Sequence, residues 1–106
     1  MNDPRWASID AFAEQNRENI LRDITRLVAV PSVEGKAAPG APFGPGPKAA
    51  LEKALEIANE LGLSTYNADS YIGWAETGAI ADGQKFLATI THTDVVPEGN
   101  GWDADP

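Results

Sequence analysis

Phe86-Leu-Ala-Thr-Ile-Thr91 runs without a break into His92-Thr-Asp94-Val-Val-Pro-Glu-Gly-Asn-Gly-Trp102. The uncharged run of aliphatic, aromatic and β-branched residues reads as a strand buried on both faces, and we place it at Lys85 to Thr91. The change to polar, glycine-containing sequence then puts His92, the chain's only histidine, at the strand's carboxyl end. Open α/β sheets bind their ligands at that end of their strands. A metal-bound imidazole needs its second ring nitrogen held, commonly by a carboxylate. Asp94 is placed for this, since residues two apart on extended backbone project to the same side. A His-x-Asp pair by itself is weak evidence, since a lone histidine is more often a hydrogen-bonded structural residue than a ligand.

Upstream, Ile20, Leu21, Ile24, Leu27 and Val28 recur at helical spacing opposite Arg17, Arg22 and Arg26, which predicts one amphipathic helix from Ser8 to about Val30. Ser8 is its expected N-cap and Pro31 its terminator. Residues 35 to 47 hold four of the eight prolines and four of the ten glycines, so this stretch is a loop, with Phe43 packing it down. A second helix is expected from Pro47, through Leu51, Ala54, Leu55, Ala58 and Leu61, to a glycine stop at Gly62. Leu63 to Tyr66 and Tyr71 to Glu76 read as two further short strands, and Asp82-Gly83 as the turn before Lys85. Helices followed by strands predict an α/β layer arrangement in which helices cover a sheet.

The 106 residues are 42% hydrophobic and 23% charged, the composition of one folded domain. A net charge of −8 would repel nucleic acid, and it suits either cation binding or simple solubility. The absence of cysteine removes thiolate zinc sites and cysteine nucleophiles, so any metal must be held by His, Asp or Glu. No basic segment followed by an apolar run opens the chain, and no stretch approaches the roughly 20 apolar residues that span a bilayer. A cytoplasmic protein with no membrane partner is expected.

The full string from His92 to Trp102 resembles the first metal-ligand motif of the di-zinc superfamily that contains carboxypeptidase G, acetylornithine and succinyl-diaminopimelate deacylases, aminoacylases, carnosinases and PepV-type dipeptidases. Leu27-Val-Ala-Val-Pro-Ser32 is similar to the end of that family's first helix. Ala41-Pro-Phe-Gly44, Ala50-Leu51, Ser70-Tyr-Ile-Gly-Trp-Ala-Glu-Thr-Gly78 and Gly101-Trp-Asp-Ala-Asp-Pro106 resemble its PepV-like, Xaa-His dipeptidase branch. The resemblance implies an α/β/α layered zinc-exopeptidase catalytic domain, of which residues 1–106 would be the N-terminal part. It implies two zinc ions, or manganese or cobalt in their place, sharing a nucleophilic water that cleaves the peptide bond of a small peptide. It assigns His92 as a metal ligand, and Asp94 the catalytic part of a carboxylate that orients the imidazole without touching the metal.

The bridging aspartate, the general-base glutamate and the remaining ligands come later in family members, and their motifs have no counterpart here. The expectation is therefore a truncated or cut polypeptide, inactive alone and completed by a C-terminal piece, with its oligomeric state open. Two other readings compete: a deacylase of N-acyl amino acids, which shares the metal motif, and a noncatalytic folded module. Trp74 and Trp102 suit either pocket lining or core packing. Asp103 and Asp105 read as surface charge or cation holders, and Asn67 and Asp69 as turn residues.

Overall fold

Asp3 opens the first helix by accepting a hydrogen bond from the Arg5 amide (2.9 Å) at a start where Pro4 needs no amide partner. A computed structural model describes residues 3–79 and 81–106. The expected single helix from Ser8 is instead two: α1, Pro4–Gln15, and α2, Arg17–Val28. Asn16 causes the break. Its side-chain amide donates to the Phe12 carbonyl (2.9 Å) beside its own backbone N–H, and its φ/ψ of −102°/8° leaves the helical basin. Asparagine competes with the backbone for hydrogen bonds in this way, and it interrupts a helix without altering the apolar spacing that predicted one. Ser8, expected as the cap, lies inside α1 and donates to the Pro4 carbonyl.

After α2 the chain turns at Pro31, and the loop that follows is held by backbone bonds between Ala38 and Ala41 and from Gly35 N–H to Phe43 C=O (2.9 Å). Phe43 rests edge-on against Tyr71, with ring centroids 5.6 Å apart. Helix α3, Pro45–Glu60, starts two residues before the expected Pro47, because Pro45 and Pro47 both fall in the first turn, where missing amides are harmless. It ends in a Schellman motif: Gly62 (φ 88°) donates to Asn59 O and Leu63 to Ala58 O.

Strands β1, Ser64–Ala68, and β2, Ile72–Glu76, form an antiparallel hairpin with Tyr66 opposite Trp74, whose rings stack at 4.4 Å. Asp69 and Ser70 make the turn with φ values of 53° and 62°, closed by Tyr71 N–H to Ala68 O and by Ser70 N–H to Asn67 Oδ1 (2.8 Å). Both central residues in the left-handed region is the type I′ pattern that fits hairpin twist. One face of the hairpin carries α3, and glycine at position 73 permits it: a Cβ there would lie 2.9 Å from Leu51 Cδ1 and 3.0 Å from Leu55 Cδ1. Helix α2 is tied to α3 by Arg26, whose guanidinium donates to Glu60 (2.6 and 2.9 Å) and Glu56 (3.1 Å). Helices against a small sheet form a mixed, partial α/β arrangement.

The third expected strand does not form. Residues 85–91 belong to no strand and make no backbone–backbone hydrogen bond among the described residues. The reason is the missing neighbour: an apolar run becomes a strand only when adjacent backbone satisfies its amides and carbonyls. Leu87 and Ile90, expected in the interior, are 94% and 98% exposed. The Asp82-Gly83 turn before them is present, closed by Gln84 N–H to Ala81 O with Gly83 at φ 76°.

Candidate functional site

The His92 segment reaches the rest of the molecule through Val95. Its N–H donates to Ser32 O (3.3 Å), and Val95 forms a parallel bridge with Val33. Ser32 is buried, because the start of α3 closes over it: a Cβ on Gly46 would meet Pro31 O at 2.7 Å and Val33 O at 3.0 Å. The turn beyond Val95 is closed by Trp102, whose indole Nε1–H donates to Glu98 O (2.9 Å). Trp102 therefore braces this loop while remaining exposed, and Trp74 stacks on the hairpin surface; neither lies in a core.

Within this segment His92 and Asp94 are brought together. Nδ1 of His92 lies 2.9 Å from the Asp94 backbone carbonyl and 3.4 Å from its carboxylate Oδ1. A carbonyl oxygen can only accept, so this geometry puts the proton on Nδ1 and leaves the Nε2 lone pair free. The expectation gave the holding role to the Asp94 carboxylate; the nearer oxygen is the main-chain one, with the carboxylate behind it. The imidazole is 81% exposed, so a free Nε2 has open access.

A neutral imidazole with Nδ1–H held and Nε2 free is the form that binds a divalent metal, and backbone carbonyls are among the usual holders. His92 fits one ligand position. Catalytic zinc ordinarily takes three protein ligands, and the described residues contain no group of three His, Cys, Asp or Glu side chains able to hold an ion. Asp103 and Asp105 are exposed and join no such group.

Elsewhere an open hollow of about 880 Å³ lies between the 37–42 loop, α3 and the hairpin turn, with Lys48, Glu52, Asn67, Asp69 and Tyr71 on its walls. His92 and Asp94 are not part of it. Asn67 and Asp69 serve the turn, as their sequence context predicts. Two features escaped sequence reasoning: the docking of Val95 on Ser32 and Val33, and the ion cluster around Arg26. Both join residues distant in sequence, and no local pattern announces them. In that cluster the Arg26 guanidinium lowers the Glu60 carboxyl below its ordinary value, and hydrogen bonding to Glu60 and Asp23 raises Arg26. Arg5 likewise lowers Asp3 at the start of α1. Among the described residues no helix is long and apolar enough to cross a membrane.

No protein-family model matches the chain. Among curated proteins it is similar to ones named "Putative dipeptidase" from Staphylococcus aureus strains USA300, COL and MW2, with 40% identity over 95 residues in each case. That match takes in 88% of this chain and 20% of each relative, so the chain spans about a fifth of their length. Over those 95 residues the sequence is dipeptidase-like.

Proposed function

We propose that the sequence is the metal-binding N-terminal portion of a di-zinc dipeptidase of the carboxypeptidase G and aminoacylase superfamily, on the PepV-like branch. In this reading the protein hydrolyses the peptide bond of small peptides in the cytoplasm. The observation that carries it is the His92 imidazole, held at Nδ1 by Asp94 O with Nε2 free and exposed, in a chain similar to dipeptidases. Bound metal, zinc or else manganese or cobalt, would supply a water acidic enough to act as a nucleophile near neutral pH.

This chain's own contribution is positional. His92 offers one neutral nitrogen donor. The main chain at Asp94 fixes its tautomer, and the Asp94 carboxylate at 3.4 Å adds negative charge beside Nδ1–H. That charge favours a cation bound at Nε2. Val95, bridged to Val33, ties this short unit to the start of α3, and thus to the most buried part of the fold. The other metal ligands, the general base and the recognition of the peptide's termini would come from polypeptide corresponding to the remaining length of the relatives.

The test uses a longer polypeptide that contains this sequence, stripped of metal and reloaded with zinc, and follows dipeptide hydrolysis. Zinc-dependent cleavage of dipeptides in preference to N-acyl amino acids is the expected result. A preference for N-acyl amino acids would establish a deacylase instead, and turnover unaffected by metal removal would overturn the reading.

A further inference from the structure

We propose that Ser32 is a positioning residue for His92 and acts through the peptide group that joins Asp94 to Val95. Two hydrogen bonds at the site belong to that one group. Its carbonyl, Asp94 O, accepts from His92 Nδ1–H at 2.9 Å, and its amide, Val95 N–H, donates to Ser32 O at 3.3 Å. A trans peptide is planar, with carbonyl and amide on opposite sides of the chain, and no cis bond occurs among the described residues. Holding the N–H side therefore aims the oxygen. Ser32 O, Val95 N–H, Asp94 O and His92 Nδ1–H form one relay, in which each bond also polarises the next and makes Asp94 O a better acceptor.

The far end of the relay is the fixed end. Ser32 is 3% exposed, and residues 31–35 are pressed against the segment that opens α3. A Cβ on Gly46 would stand 3.3 Å from Ser32 Cα and closer still to Pro31 O and Val33 O, and a Cβ on Gly44 would stand 2.8 Å from Gly35 N and Cα. Gly35 N–H donates to Phe43 O (2.9 Å) on the same side. Only glycine at these two positions lets the segments approach so closely. Val33 then bridges Val95, so the packing of α3 is passed to the 94–95 peptide.

A peptide group in a loop can otherwise rotate about its two flanking bonds and carry its oxygen away. Nδ1–H would then face only the Asp94 carboxylate, whose Oδ1 at 3.4 Å lies beyond a strong hydrogen bond. The tautomer of a neutral imidazole follows the hydrogen bond that one ring nitrogen makes. The start of α3 thus decides which nitrogen of His92 is bare without touching the ring. The consequence for metal binding rests on His92 being a ligand, as proposed above; the tautomer does not.

Nitrogen NMR of His92, at a pH where the imidazole is neutral and without metal, reads the relay directly. Chemical synthesis with the hydroxy-acid counterpart of valine at position 33 turns the Ser32 carbonyl into an ester carbonyl, a weaker acceptor, and leaves the 94–95 peptide intact. The N–H lost with it donates to no backbone oxygen among the described residues. The ratio of Nε2–H to Nδ1–H tautomer should rise about two- to fivefold, the span from weakening one hydrogen bond to losing it. Gly46→Ala should act the same way, whereas Gly73→Ala, which loosens the hairpin contact instead, should leave the ratio unchanged. An unchanged ratio in the ester chain, with Val95 N–H exchanging faster, would assign the holding role to the Asp94 side chain and overturn the proposal. An equal shift in Gly73→Ala would overturn it too, as general loosening. In a longer polypeptide containing this sequence, Gly46→Ala should weaken zinc binding up to about tenfold. A tautomer that responds while zinc affinity does not supports the relay and counts against His92 as a ligand.

Discussion

Replacing Gly46 by alanine sets two effects of similar size against each other. Gly46 lies in the first turn of α3, and alanine is favoured over glycine inside a helix by about 1 kcal/mol. An added Cβ would, however, stand 2.7 Å from Pro31 O, 3.0 Å from Val33 O and 3.3 Å from Ser32 Cα. All three are main-chain atoms, which cannot swing aside as the end of a side chain can. Overpacking of this kind costs typically about 1–3 kcal/mol, and it outweighs a propensity gain that is diminished in the first turn. The expected net loss is therefore roughly 1–2 kcal/mol. With a urea dependence of order 1 kcal/mol per molar, the midpoint of unfolding followed by circular dichroism should fall by about 1–2 M. Val95 hangs on the same segment through Ser32 and Val33, so its amide should also exchange faster in the variant. Gly73→Ala is the comparison: its new Cβ meets only Leu51 and Leu55 methyl groups, which can rotate, and its loss should be smaller. If Gly46→Ala is as stable as wild type or more so, the close approach of α3 to residues 31–33 is wrong.

Glu60→Gln removes the principal partner of Arg26. Because Arg26 lowers the Glu60 carboxyl, the ion pair adds stability above the ordinary glutamate value of 4.5, and that contribution is lost as pH falls through the lowered folded value. Wild type should thus exceed the variant at neutral pH by a small, salt-sensitive margin, and the two unfolding curves should converge in acid; a constant difference at all pH values would contradict the pairing. The single imidazole makes nitrogen NMR unambiguous: neutral His92 should be protonated at Nδ1, and added zinc should shift Nε2, whereas an Nε2–H tautomer would contradict the site geometry. In the longer enzyme, Asp94→Asn keeps the backbone carbonyl but removes the carboxylate charge, so activity or metal affinity should drop by about 10- to 100-fold, with wild-type turnover speaking against an orienting role.

The local elements were legible where local chemistry specifies them. Gly62 stops α3 and Asn67 with Asp69 turns the hairpin, since each acts through its own backbone or its neighbours', whereas the sequence pattern places the helix start at Pro47, two residues late. The split at Asn16 was hidden because an apolar period survives a break made by one side-chain hydrogen bond. Residues 85–91 show the opposite failure. Their composition describes a buried strand, but burial and pairing depend on a neighbour, and the described residues offer none. At the site, the His-x-Asp spacing anticipated that His92 and Asp94 lie side by side. It pointed to the carboxylate as the nearer acceptor, where the backbone supplies a carbonyl at 2.9 Å; side-chain spacing carries no information about main-chain oxygens.

The central claim is that His92 is a metal ligand of a dipeptide-cleaving site, and metal stoichiometry measured beside turnover tests it most directly. In the longer polypeptide containing this sequence, His92→Ala should bind one zinc ion fewer than wild type and lose zinc-dependent dipeptide hydrolysis, while Asp94→Asn keeps its full metal complement at saturating zinc. A His92→Ala protein that retains every metal ion together with wild-type turnover would contradict the account.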